Sequence, residues 1–298
     1  MPILSRRRFI AISAAALVAR PALARPVRRW TGTALGARAS LTLSHPEADR
    51  LVASVLAEIA RLEQVFSLYR ADSALSRLNR DAAIDGPPFE LVECLSIAGA
   101  VHAATGGAFD PTVQPLWAAY AEAHAAGTAP ATTAIAAARR LVGWAGVDVA
   151  PARIALARPG MAITLNGIAQ GYIADRVARM LQAEGLAEIL IDTGELRALG
   201  GMPGGGDWPV QRAAGGPIAL RDRALASSAP LGTTFDAAGR VGHILDPQSG
   251  RPAPPQGGMV TVTAPTAALA DALSTGLCLL DAPARAQALG VFRECRLL

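Results

Sequence analysis

In residues 167–185 the apolar side chains Ile168, Ile173, Val177 and Leu181 recur at a helical period. The strand-like run EILID, residues 188–192, follows almost at once. A helix closed by Gly185 and succeeded directly by a strand restricts the chain to folds in which helices and strands share one core. The rest of the sequence decides which kind. An amphipathic helix is expected at about 46–64, with Leu51, Val55, Ile59 and Leu62 on one face, opened by the capping-box pattern Ser44-His45-Pro46-Glu47. Further helices are expected at 89–104, ending at Gly106-Gly107, at about 115–126, after Thr132, at 267–280 and at about 283–290. A strand is expected at 35–43, after an arginine-rich lead-in over 25–34. Residues 147–165 alternate and break at Pro159-Gly160, which reads as a hairpin, and 196–264 is Gly- and Pro-rich with short β-like runs. There is no regular strand-helix-strand rhythm and no fixed-period repeat. The expected class is α+β, with mixed sheets and flanking helices.

The amino terminus stands apart. Ser5-Arg6-Arg7-Arg8-Phe9 has the form of a twin-arginine export signal, the apolar stretch after it is short and Ala-rich, and Ala22-Leu23-Ala24 fits a small-x-small cleavage site. Residues 1–24 are therefore expected to be a signal peptide removed on export, with a periplasmic protein from residue 25 onward. No cysteine follows the apolar stretch, so a lipoprotein anchor is not expected. Arg6, Arg7, Arg8 and Arg20 account for the whole formal excess of +4, and the remainder is neutral. That argues against a nucleic-acid partner. All basic residues are arginine, which excludes lysine chemistry such as a Schiff base. Cys94, Cys278 and Cys295 are an odd set without C-x-x-C spacing. Cys94 and Cys278 sit in apolar runs and read as small buried hydrophobes.

Five stretches carry candidate chemistry. In LADALSTGL, Asp271 and Thr275 are four apart on an expected helix, so a carboxylate and a hydroxyl share one face. That pair suits a hard cation such as Mg²⁺, and equally suits caps or solvated side chains. In LNGIAQGYIAD, Asn166-Gly167 signals a turn and Gly171 leaves room for a close approach. The helix N-terminus behind them is either an anion site or ordinary packing. In TGGAFDPTVQPLW, a glycine pair, Phe109, Asp110 and two prolines fix a loop, which could also do no more than cap its helix through Asp110 or Thr112. In FSLYRADSALSRLN, Tyr69 could stack on a planar ring or cover the core. In HILDPQSGRP, His243 ends a strand before a turn, where a titrating side chain can sit at the rim of a cleft, although Asp-Pro and Ser-Gly are also plain turn signals.

In their order along the chain these stretches, with IDTGELRALG and VTVTAPTAALADALSTGL, resemble the ApbE family of periplasmic FAD:protein FMN transferases across most of the chain after residue 24. The wording LNGIAQGY with GELRALG looks most like the NosX branch, which serves nitrous-oxide respiration. The resemblance implies a single ApbE-like domain over 25–298. It also implies an Mg²⁺-dependent transfer of FMN from FAD to a Thr or Ser of an exported or membrane-bound partner, with release of AMP. By the same resemblance Gly167, Asp271, Ser274 and Thr275 would hold the metal. Leu35, Tyr69, Ala108, Phe109, Asp110, Thr164, Gln170 and Ile244 would contact the flavin nucleotide, and His243 would act in catalysis. Three positions depart from the family pattern: Thr164 replaces a frequent Asp, Gln170 a Lys or Glu, and Leu35 a Met. An FAD pyrophosphatase with water as acceptor, and a periplasmic flavin-binding protein without turnover, are the alternatives.

Overall fold

The computed structural model of the protein describes residues 27–34, 37–212 and 215–298. The expected signal peptide, residues 1–24, and Leu35 lie outside the described residues. In chain order the elements are β1 (Arg28–Ala34), β2 (Ala37–Leu43), α1 (Ala48–Phe66), α2 (Ala74–Asp81), β3 (Ala83–Asp85), α3 (Phe89–Ala104), α4 (Gln114–Ala125), α5 (Thr132–Arg139), β4 (Val147–Ala150) and β5 (Arg153–Leu156). There follow α6 (Ala169–Ala183), β6 (Ile189–Asp192), β7 (Leu196–Leu199), β8 (Trp208–Gln211), β9 (Pro217–Leu220), β10 (Ala224–Ser228), β11 (Val260–Ala264), α7 (Ala267–Leu277), α8 (Ala282–Gly290) and β12 (Arg296–Leu297).

The main sheet has seven strands in the order β1-β2-β6-β7-β10-β11-β12. Every neighbouring pair in it is antiparallel, which agrees with the expected α+β class. Two small sheets, β3-β5-β4 and β8-β9, flank it. One core joins the sheet to the helices: Leu51, Leu62, Leu75, Leu95, Ile173, Leu181 and Leu273 are all 1% exposed or less. Each such side chain contributes roughly 1.5–3 kcal/mol by leaving water.

Helix α7 is the element that positions the site. Its sequence AALADALSTGL is short-chained nearly all round, and it lies against β10, β11, α3 and α6. Small residues let those backbones come close. The tightest approach is at Gly171 on α6, where an added Cβ would stand 2.3 Å from the carbonyl oxygen of Ala267. The chemical reason for Gly171 is therefore space, as its place in the motif suggested.

Four expectations change in detail. The lead-in at 28–34 is the edge strand β1, in which Trp30 and Gly32 alternate with exposed residues, and its arginines suit an unpaired edge. The capping box at 44–47 does not form. Glu47 is itself the residue before the helix, and its carboxylate pairs with Arg50 at 2.7 Å. The hairpin of β4 and β5 turns at Pro151-Ala152 rather than Pro159-Gly160, because Ala150 pairs with Arg153 across a two-residue loop. Residues 74–81 form α2, unexpected from the sequence, where Ser73 accepts a hydrogen bond from the Ser76 amide at 3.0 Å and Leu75 and Leu78 are buried. All three cysteines are free and buried.

Candidate active site

The loop after α3 is held from both sides. The Thr105 hydroxyl donates to the Val101 carbonyl at 2.8 Å and accepts from the Phe109 amide at 3.1 Å. The Asp110 carboxylate accepts from the amide and hydroxyl of Thr112, at 2.8 and 2.6 Å. Across from it, the stretch after β10 folds back so that the His243 amide donates to the Thr233 carbonyl at 3.1 Å. The turn beyond His243 is closed by Asp246, whose carboxylate accepts from the amides of Gln248 and Ser249 at 2.9 and 3.2 Å. Tyr120 anchors the same turn by donating to the Gly250 carbonyl at 3.1 Å. HILDPQSGRP is thus both an ordinary capped turn and a rim.

Between these walls is a cavity of about 340 Å³. Ala108, Phe109, Asp110, Thr164, Gly167, Gln170, His243, Ile244, Asp271 and Thr275 all line it, from segments spread across the chain. Two expected residues do not. Tyr69 is 83% exposed and lies in a neighbouring open cleft with Arg80, Gln114 and Trp117, so it covers no core. Trp117 lines both spaces and joins them. Ser274 is fully buried behind the wall. Its hydroxyl donates to the Asp271 carbonyl at 3.0 Å and meets the Ser228 hydroxyl at 2.8 Å. Ser228, which does line the cavity, also stands 3.2 Å from the Thr275 hydroxyl. Ser274 thus acts through Ser228, because its place on α7 turns it toward β10.

The helix N-terminus behind Gly167 is occupied by an internal carboxyl: the Gly171 amide donates to Asp271 Oδ2 at 3.2 Å. Burial, only partly offset by that amide and reinforced by Asp175, pushes the Asp271 carboxyl up to about 7. Glu195, just before β7, faces the same cavity. Burial and the neighbouring Asp271 and Asp192 hold its carboxyl well above the usual range, against one hydrogen bond from the Ser227 backbone. His243 is half-buried, and its Nδ1 lies 2.9 Å from the Thr233 carbonyl oxygen. A carbonyl only accepts, so Nδ1 carries the proton and Nε2 presents a lone pair. Burial lowers the His243 pKa and favours that neutral form.

The donor set fits a hard divalent cation. It offers the Asp271 carboxylate and the Thr275 hydroxyl beside the Gly167 backbone, where an added Cβ would stand 3.1 Å from Thr275 Oγ1. No group of three or more His, Cys, Asp or Glu suited to a metal occurs among the described residues. Sequence reasoning missed Glu195, Ser228 and Trp117. Nothing local marks Glu195, which stands before the strand LRAL with its own arginine.

A family model described as "ApbE family" matches residues 35–293. A FAD:protein FMN transferase of Klebsiella pneumoniae is 31% identical over 260 residues, covering 81% of this chain and 74% of that protein. The crystal structure of Pseudomonas stutzeri flavinyl transferase ApbE in its apo form has a TM-score of 0.80 at 28% identity, covering 91% of this chain and 90% of that one. The ApbE protein of Thermotoga maritima has a TM-score of 0.78 at 26% identity, covering 92% and 94%.

Proposed function

The chain belongs to the ApbE family, and from that premise we propose that it is an FAD:protein FMN transferase that depends on Mg²⁺ and releases AMP. The observation that carries the reading is the convergence of His243 with Asp271 and Thr275 in one cavity. Phosphoryl transfer needs mainly positioning and neutralised charge. Asp271, the Thr275 hydroxyl and the Gly167 carbonyl would hold Mg²⁺, which when bound supplies positive charge at the FAD pyrophosphate.

The chain's own groups do the rest. The acceptor's Thr or Ser hydroxyl gives its proton to His243 Nε2 as its oxygen bonds to the FMN phosphorus. The pyrophosphate P–O bond breaks, and AMP leaves with the bridging oxygen. The Thr233 carbonyl fixes the His243 tautomer that can take this proton. Phe109, Ile244 and the side chains of Thr164 and Gln170 wall the nucleotide, and Tyr69 and Trp117 in the adjoining cleft offer aromatic faces to its planar rings. Thr164 and Gln170 do this without charge.

The acceptor in this reading is an exported or membrane-bound flavoprotein, as in nitrous-oxide respiration, and the site of action is the periplasm, reached by the twin-arginine route. The test is to incubate the purified protein with FAD, Mg²⁺ and an acceptor carrying a Thr or Ser flavinylation site, then view a denaturing gel under ultraviolet light. A fluorescent acceptor band that a chelator abolishes is expected. Free FMN and AMP without a band would instead make water the acceptor, and intact FAD would make the protein a binder.

A further inference from the structure

Glu195 has no part in the transfer just described, yet it is built into the same cavity. It is 9% exposed, lines the space with Asp271 and Thr275, and its Oε2 has no hydrogen-bond partner. A buried carboxylate oxygen left bare is costly, because neither water nor a donor replaces its hydration. Other buried acids of this protein are treated differently. Asp175 accepts from the amides of Ala267 and Ala268, each at 2.9 Å, and faces Arg197 at 3.2 Å. Glu90 is paired with Arg61 at 2.6 Å. Glu195 instead shares its cavity wall with the Asp271 carboxyl, and among the described residues no arginine lines that cavity. Two desolvated carboxylates on one cavity wall, with no arginine between them, are stable together when a cation sits between them.

We propose that Glu195 is a second carboxylate ligand of the divalent cation held by Asp271 and Thr275. The inference rests on the metal-dependent reading above. It makes the ligand set two charged oxygens with neutral hydroxyl and carbonyl oxygens, and it gives β7 as well as α7 a direct hold on the ion. Gly194 contributes by its lack of a side chain: its φ is +101°, and an added Cβ would stand 3.2 Å from Gln170 Oε1. The backbone can therefore turn Glu195 inward beside Gln170.

The experiment titrates the full chain with Mn²⁺, a spectroscopic stand-in for Mg²⁺, in the absence of FAD, following free Mn²⁺ by electron paramagnetic resonance. Wild type, Glu195→Gln and Glu195→Asp are compared, and flavin transfer is assayed in parallel. Glu195→Gln keeps shape and removes charge. It should weaken Mn²⁺ binding by at least about tenfold, as loss of a ligating or supporting oxygen does. Glu195→Asp, which keeps charge on a shorter arm, should fall between, and raised Mg²⁺ should recover part of the Glu195→Gln transfer rate. An unchanged Mn²⁺ affinity in folded Glu195→Gln overturns the assignment even if transfer is lost. If Glu195→Gln does not fold, Glu195→Asp with wild-type affinity overturns it as well. Wild-type protein that binds Mn²⁺ through Glu195 but never labels an acceptor would sink the transferase reading and leave this one standing.

Discussion

Asp175 and Glu195 both lie in the layer where helices meet the main sheet, each less than a tenth exposed. Asp175 spends both oxygens on the first two amides of α7 and adds the Arg197 ion pair. It caps the helix that bears Asp271 and Thr275, and so fixes where the site is. Glu195 lines the cavity, accepts one backbone hydrogen bond and leaves Oε2 without a partner. The first acid has both oxygens partnered by the fold, although burial still holds its carboxyl above the ordinary value. The second, in the reading proposed above, would be answered by the cation shared with Asp271. A carboxylate that builds and a carboxylate that binds are separated here by partner geometry, since depth of burial is the same for both.

Substitutions can break this contrast. Asp271→Asn should cut cation-dependent transfer by roughly 10³-fold or more, since several kcal/mol of charge stabilisation goes with the ligand. Its fold should survive, because the Asn oxygen can still accept from Gly171. Rates read from the fluorescent acceptor band, with melting curves alongside, check both halves. His243→Ala should slow transfer by about 10²–10⁴-fold with little change in FAD affinity, and an unaltered rate would remove the base. Asp175→Ala should do the reverse of Asp271→Asn. It strips the α7 cap and strands Arg197, costing about 3–5 kcal/mol in urea unfolding, and a loss under about 1 kcal/mol would erase the distinction.

Acidity sharpens the contrast further. The Asp271 carboxyl is raised to about 7 in the fold, so the folded chain holds a proton that the unfolded chain releases near the ordinary carboxylate value. The contribution of Asp271 to the stability of the metal-free protein should therefore be full below that ordinary value and be lost as pH rises through about 7, a difference read against Asp271→Asn. The decline amounts to several degrees in Tm, and Mg²⁺ should reverse it. A flat Tm profile in chelator would contradict it. The smallest expected effect is at Tyr69. Tyr69→Ala should weaken FAD binding by about 1 kcal/mol, or roughly fivefold, without touching the melting temperature, because the side chain is exposed.

Much of this was legible in the chain. The periodic face of α6, the strand after it and the helix α7 could be read because each buries a regular stripe. Asp271 and Thr275 could be paired because four residues make one helical turn. What stayed hidden depends on contacts between distant segments. Strand β1 was masked by its arginines, which burial arguments push to the surface but which an edge strand tolerates. Helix α2 is only eight residues and polar on average, so its pattern was too short to stand out. Ser274 and Thr275 are adjacent in sequence, and only the packing of α7 on β10 decides that one faces Ser228 from behind the wall and the other faces the cavity. Glu195 needed the fold most of all, since nothing local tells a solvated acid from a bare one.

Gly171 and Asp271 meet across 100 residues of sequence. Closing the loop that joins them costs chain entropy, and the contact exists only where α7 is docked on α6. In the metal-dependent reading proposed above, a divalent ion would hold tightly only to chains in which α6 and α7 have come together at Gly171, and its affinity would then serve as a proofreader of assembly.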